Sequence, residues 1–272
     1  LLTIPVRESL LSKAPRLRVV SNMAAGYDNI DIEACTQRGI PVGNTPGVLT
    51  EGTADLTMAL LLAVARNIPI AAQAAKAGLW KTWSPASWLG ADLNGATMGI
   101  VGMGKIGQAV AQRARGFGMH IVYTDEVERI GMNTERLTLE NLLKVSDFVS
   151  LHVPLTPQTR HLINEKSLRL MKKTAYLINA ARGPIVDTNA LYHALKEGWI
   201  AGAGLDVTDP EPLPKDHPLF SLPNCLIVPH IGSATLNTRK RMAELACENL
   251  LAGLEGQHLP NCVNPEVYDL TK

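Results

Sequence analysis

The sequence predicts an α/β fold: a doubly wound parallel sheet joined to a second, smaller α/β unit. Three observations predict it. From residue 98 onward, apolar strand-like runs alternate with helix-like runs, the rhythm of a parallel sheet covered by helices on both faces. A glycine pattern, Gly102-x-Gly104-x-x-Gly107, falls between one such strand and a helix-like run at 108–115. That glycine pattern begins only at residue 102, and a separate β-α-β pattern precedes it.

That first pattern reads as a short strand at 18–22, a helix at 30–38 closed by Gly39, and a strand at 40–44. A β-α-β order implies parallel pairing. After the turn at Pro46-Gly47, a long helix is expected over 50–79, interrupted near Pro69 and apolar on most faces of its first half. Trp80, Trp83 and Trp88 follow in a loop, with two readings open: packing, or an arm that touches a second subunit. Strands are then expected near 98–102, 119–124, 147–153, 175–180, 201–206 and 225–229, and an amphipathic last helix at 237–254 ends at Gly256.

Composition narrows the function. A chain of 272 residues holds one large or two medium domains. Its net charge of +1 favours neither nucleic acid nor an anionic membrane surface. The richest apolar run, 56–65, is too short for a membrane helix, which needs roughly 18 residues. Cys35, Cys225, Cys247 and Cys262 form no C-x-x-C and none sits beside a histidine at metal spacing. They read as reduced thiols of a cytoplasmic protein with no metal site. The chain opens Leu1-Leu2 without methionine or a recognisable signal peptide, so a missing N-terminal part is expected.

The glycines specify a ligand. In a strand–turn–helix context, Gly102 permits a tight turn, Gly104 lets the backbone approach a pyrophosphate, and Gly107 lets the helix pack on the strand. The helix N-terminus then offers N–H groups and partial positive charge to the phosphates. A dinucleotide site also needs an acid about 20 residues further on, at the next strand end. Asp125 supplies it, with Glu126 beside it and Arg129 the nearest arginine. A carboxylate there accepts from both ribose hydroxyls and repels a 2′-phosphate, so NAD is favoured and NADP remains open. Asp206 ends another strand, placed either to hold a nicotinamide carboxamide or to cap the following turn.

Three further segments follow strands and so share the glycine turn's edge: Asn179-Ala180-Ala181-Arg182-Gly183, Asp209-Pro210-Glu211-Pro212 and Pro229-His230-Ile231-Gly232-Ser233. Arg182, Glu211 and His230 suit carbonyl reduction. Arginine grips a carboxylate with two prongs. Histidine passes a proton near neutral pH, and a paired carboxylate raises its pKa and fixes its tautomer. Taken singly, each also reads as an ordinary ion pair, turn residue or satisfied polar group.

With these segments the chain resembles the D-2-hydroxyacid dehydrogenase family. Gly26-Tyr27-Asp28-Asn29-Ile30-Asp31, the glycine turn, Gly204-Leu205-Asp206-Val207 through Glu211-Pro212, and Pro229-His230-Ile231-Gly232-Ser233-Ala234 carry the resemblance. Within the family it is most similar to the glyoxylate/hydroxypyruvate reductases. The resemblance implies a Rossmann cofactor domain at 46–236 and a flavodoxin-like substrate domain at 1–45 and 237–272, N-terminally incomplete. It also implies a cleft between the domains, hinges near 44–47 and 233–237, and a homodimer. It makes His230 the acid–base residue, Glu211 its partner and Arg182 the substrate anchor. Further cofactor contacts are implied at Lys105, Ile106, Ala180, Ala181 and Gly232. Backbone N–H groups at Ala25 and Gly26 would bind the substrate carboxylate, and Trp88 resembles a residue that reaches the neighbouring subunit's pocket.

The expected reaction is NAD(P)H-dependent reduction of a small 2-oxo acid to the D-2-hydroxy acid. Two alternatives stand beside it. One is an NAD-sensing corepressor-like binding protein on the same fold. The other is a different dehydrogenase branch: phosphoglycerate, formate or phosphite. Glu211 argues against the formate branch, which carries glutamine there.

Overall fold

The computed structural model describes residues 4–129 and 134–269. The chain begins with α1 (Glu8–Leu11), β1 (Val20–Ser21), α2 (Ile32–Gln37) and β2 (Val42–Gly43). Next come α3 (Thr50–Ala65), α4 (Ile68–Lys76), β3 (Thr97–Val101), α5 (Lys105–Gly116), β4 (His120–Thr124) and β5 (Glu135–Arg136). Then follow α6 (Leu139–Val145), β6 (Phe148–Leu151), α7 (Glu165–Leu170), β7 (Tyr176–Asn179) and α8 (Thr188–Lys196). β8 (Gly202–Leu205), β9 (Cys225–Ile227) and α9 (Leu236–Leu254) complete the order. These elements form two compact units: Leu1–Gly52 with Ser233–Lys272, and Thr53–Gly232.

In the first unit β1 and β2 pair in parallel, Val20 opposite Val42. Asp31 caps α2, accepting from the Ala34 N–H at 2.9 Å. Val6, Leu11, Val20, Ile30, Cys35, Ile40 and Val42 form its core. α9 joins this unit at close range: a Cβ on its Gly253 would lie 2.5 Å from Val19 Cγ2.

The second unit holds a seven-stranded, fully parallel sheet in the order β5-β4-β3-β6-β7-β8-β9. The chain winds outward from β3 in one direction and restarts with β6 on β3's other side. Such a reversal opens a crevice at the strand C-termini, where ligands bind in doubly wound sheets. The inner strands β3, β6, β7 and β8 are buried on both faces and largely apolar, as coverage from both sides demands. Val101, Val149, Leu151, Leu177 and Leu205 face one core with Leu142, Leu168 and Leu191. Ile100, Phe148 and Ile178 face another with Met58, Leu61 and Val110.

The interruption expected near Pro69 in the helix over 50–79 is present as a break between two helices, bent by 62°. The break falls at Asn67, in the left-handed region at φ 52°, a conformation asparagine tolerates better than most residues. Pro69 then lies in the first turn of α4, where a missing N–H leaves no helical bond unmade. β5 has no counterpart among the expected strands; it is a two-residue edge strand with both side chains exposed, so no apolar pattern marks it. Among the described residues, no single helix is long and apolar enough to cross a membrane.

Candidate active site

The glycine turn joins β3 to α5. Gly102 has φ 96°, and a Cβ there would lie 2.7 Å from the backbone of His152, just past β6. A Cβ on Gly107 would lie 2.2 Å from Gly102 O, so the helix rides directly on the turn. Around Gly104 the space is open, with nothing within 4 Å of a Cβ. Gly104 is also the N-cap of α5 and provides no side-chain acceptor. The first N–H groups of the helix therefore keep the free valences that a phosphate satisfies. An open approach over Gly104 beside an uncapped helix N-terminus fits a dinucleotide pyrophosphate, with Lys105 and Ile106 in the first turn.

Asp125 follows β4 and ties back to this turn. Its carboxylate accepts from the Met103 N–H at 2.7 Å and the Val127 N–H at 3.0 Å. Arg129 pairs with it at 3.2 Å. Burial pushes the Asp125 carboxyl up, but these two N–H groups and Arg129 outweigh it and hold the pKa below its ordinary value. Arg136 donates to the Asp125 and Glu126 carbonyls at 2.6 and 3.0 Å. The strand end is thus an ionised acid flanked by two arginines.

Buried polar side chains fix the loops that carry the reactive groups. Asn179 ends β7 and is 1% exposed. It accepts from the Ala181 N–H at 3.1 Å and donates to Arg182 O at 2.9 Å, fixing the turn that presents Arg182. Asp206 follows β8 and is 2% exposed. Its carboxylate oxygens accept from the Ile231 and Gly232 N–H groups at 2.6 and 2.8 Å, and its carbonyl accepts from the His230 N–H at 2.9 Å. Burial raises the Asp206 pKa against these two N–H bonds. Asp206 therefore caps the turn after β9. His230 itself sits at φ 52°, a left-handed conformation uncommon for a residue with a Cβ.

His230 Nδ1 lies 2.6 Å from Glu211 Oε1. The hydrogen bond that His230 donates to Glu211 raises its pKa above 6.5, over the opposing effect of burial and of the nearby Arg182 charge. Glu211 moves the other way: burial pushes it up, while His230, the Thr208 N–H and Arg182 hold it lower. Both shifts favour the imidazolium–carboxylate form of the pair, within reach of the Arg182 field. Arg182 also donates to Ala181 O at 2.8 Å. The Asp209–Pro210 and Glu211–Pro212 peptides around Glu211 are cis.

Ala25 and Gly26 lie in the half-buried loop after β1, in the first unit. Trp80, Trp83 and Trp88 are 68%, 80% and 45% exposed, so their chain does not pack them away. His152, at the crevice end of β6, bonds Ser150 Oγ at 2.8 Å, and burial pulls its pKa down to about 4, leaving it neutral. Sequence reasoning does not find the clamps made by Asn179 and Thr208. Their partners include backbone atoms, which carry no residue signature. Among the described residues no group of three His, Cys, Asp or Glu side chains forms a metal site.

A doubly wound parallel sheet with a glycine turn, a strand-end acid and an imidazolium–carboxylate pair on one edge defines a dinucleotide-binding oxidoreductase fold. The chain belongs to the D-isomer specific 2-hydroxyacid dehydrogenase family, whose NAD binding domain matches residues 58–232. A glyoxylate reductase of Korarchaeum cryptofilum is 54% identical over 272 residues, covering 98% of this chain and 82% of that protein. The crystal structure of a Thermus thermophilus protein is 55% identical at a TM-score of 0.91, covering 95% of this chain and 83% of that one. An NADPH-dependent glyoxylate/hydroxypyruvate reductase from Sinorhizobium meliloti, solved with NADP and malonate, is 36% identical at a TM-score of 0.88, covering 97% of this chain and 83% of that one.

Proposed function

We propose that this protein reduces a small 2-oxo acid of the glyoxylate/hydroxypyruvate type to the D-2-hydroxy acid, with His230 as the acid. The observation that carries the reading is the 2.6 Å His230–Glu211 bond on the sheet edge that also bears the glycine turn. Its support from outside the chain is the 54% identity to a glyoxylate reductase.

When bound, the nicotinamide supplies a hydride to the substrate carbonyl carbon. The chain's residues do the rest. Glu211 holds Nδ1 of His230 and favours the protonated ring, so Nε2 carries the proton that passes to the carbonyl oxygen as the C–H bond forms. Arg182, fixed by Asn179, orients the acid through its carboxylate. The N–H groups at Ala25 and Gly26, in the first unit, are donors for a substrate carboxylate. The first turn of α5 would hold the pyrophosphate. Asp125 would hold the adenosine ribose and favour NADH; Arg129, paired with it, would be available to a 2′-phosphate and leave NADPH usable. The exposed Leu79, Trp80, Trp83, Trp88 and Leu89 support a homodimer.

The test is oxidation of NADH and NADPH with glyoxylate and hydroxypyruvate. We expect turnover with both acids and a higher kcat/KM with NADH. Because general acid catalysis contributes about 10²–10⁴-fold, His230→Gln should lower kcat by that order and leave NADH affinity unchanged. Wild-type turnover in that variant would sink the assignment of His230, and a large preference for NADPH would sink that of Asp125.

A further inference from the structure

In the loop after β1, three consecutive carbonyl groups are all drawn to one side. The Thr45 N–H donates to Ala24 O at 2.9 Å. The Asn44 side chain donates to Ala25 O at 2.8 Å, and the Asn22 side chain to Gly26 O at 2.8 Å. In a trans peptide the C=O of one residue and the N–H of the next point in opposite directions. Holding the carbonyls of Ala24, Ala25 and Gly26 inward therefore turns the N–H groups of Ala25, Gly26 and Tyr27 outward. Among the described residues none of those N–H groups has a hydrogen-bond partner. Successive backbone N–H groups aimed to one side make an anion-binding concavity.

The two asparagines are themselves fixed. Asn22 is wholly buried, and its N–H donates to Gly43 O at 2.8 Å. Its Oδ1 is buried with no partner among the described residues. What orients the side chain is its nitrogen, which donates to Gly26 O. Asn44 is held from α9: Asn249, wholly buried, donates to Asn44 O at 2.9 Å and accepts from the Asn261 N–H at 3.0 Å. A Cβ on Gly43 would lie 2.7 Å from Asn249 Cγ, so this contact leaves little slack.

We propose that Asn22 and Asn44 are positioning residues for the substrate carboxylate: by holding the carbonyls of Gly26 and Ala25, they aim the loop's N–H groups at the anion before it binds. The proposal rests on the reading of this loop as the carboxylate site. Neither asparagine touches substrate. An amide suits the position because it donates without charge, whereas aspartate would face the carbonyl with a second acceptor and add negative charge beneath an anion site.

The experiment uses Asn22→Ala, Asn44→Ala and Asn44→Asp in the full chain. It measures kcat and KM for glyoxylate and hydroxypyruvate at saturating NADH, together with NADH affinity and Tm. Calorimetry then gives the affinity of the NADH-loaded protein for oxamate, a non-reducible analogue. Each lost hydrogen bond should raise KM for both acids by about 5- to 10-fold and weaken oxamate by the same factor. Asn44→Asp should be the most affected. NADH affinity should hold, and the ratio of kcat/KM between the two acids should stay at its wild-type value, because the shared carboxylate is what is lost. A purely structural role would remove active protein, lowering apparent kcat at constant KM; that outcome, or KM and oxamate affinity unchanged, overturns the proposal. Either asparagine decides alone if the other variant fails to fold. Wild-type protein that binds oxamate and loses it in Asn44→Ala, yet reduces neither acid, would keep this inference and remove the hydride-transfer reading. Wild-type protein that binds no oxamate would remove both.

Discussion

His230 and Glu211 set each other's charge, and the consequence is a pH profile. The Glu211 hydrogen bond raises His230 above 6.5, and the charged imidazole holds Glu211 below 4.5. With His230 as the proposed acid, reduction needs the imidazolium, so kcat/KM for a 2-oxo acid should stay level below the raised value and fall as pH rises through it. Glu211→Gln removes the carboxylate charge and leaves burial, which acts downward on the His230 pKa. The descending limb should therefore move to lower pH in that variant, a shift read from the full profile; a limb that stays in place refutes the pairing as the cause. Stability carries the same signs. The His230 contribution is present below 6.5 and lost as pH rises through its raised value, and that of Glu211 is present above 4.5 and lost as pH falls through its lowered value. Arg182, Glu211 and His230 are legible in the sequence because each follows an apolar run that has to be a parallel strand, and strand ends share an edge. The Asn179 clamp behind them is not, and although the strand end marks Asp206 as a turn cap, nothing in a residue string says that the amides it meets are those of Ile231 and Gly232.

At the level of elements, the β3–α5 turn is where sequence and packing agree most closely. Its glycines follow from contact distances: a Cβ on Gly107 would come within 2.2 Å of Gly102 O and 3.2 Å of Ile100 Cγ2. Gly107→Ala must push α5 away from β3, and overpacking of this kind costs about 1–3 kcal/mol. The same shift moves the helix N-terminus off the phosphate position. We expect a lowered Tm together with weaker NADH binding by fluorescence titration, whereas Gly104→Ala, with nothing within 4 Å, should keep Tm and lose only the cofactor. Equal losses of Tm in the two variants would contradict this division of roles. The longer strands are readable as apolar runs because both faces are buried. β5 is not, since its two residues, Glu135 and Arg136, are exposed and pair with β4 through backbone alone. The helix break expected near Pro69 falls just ahead of it: Asn67 adopts the left-handed conformation, and Pro69 fits the first turn that follows.

At the scale of the molecule, the segment between α4 and β3 holds surface that folding does not bury. Leu79, Trp80, Trp83 and Leu89 are between 66% and 80% exposed, and Trp88 is 45% exposed. A tryptophan buries roughly 150–250 Å² when covered, and single exposed apolar residues are ordinary while contiguous ones mark contact surfaces. In sequence this segment has no period, so nothing there says whether the tryptophans pack inward or outward; exposure decides between those readings. Two copies that cover Trp80 and Trp83 reciprocally would each supply the same patch, as a two-fold interface requires. Trp80→Asp combined with Trp83→Asp should therefore turn a dimer into a monomer in sedimentation velocity. Because both side chains stand outside the cores of this chain, the variant should keep its circular dichroism spectrum and its NADH affinity, the glycine turn lying on β3 and α5. Its KM for 2-oxo acids should rise if Trp88 of one copy lines the pocket of the other, and stay constant if the arm serves association alone. A wild-type protein that sediments as a monomer over micromolar concentrations would remove the dimer, and with it any part for Trp88 in the site.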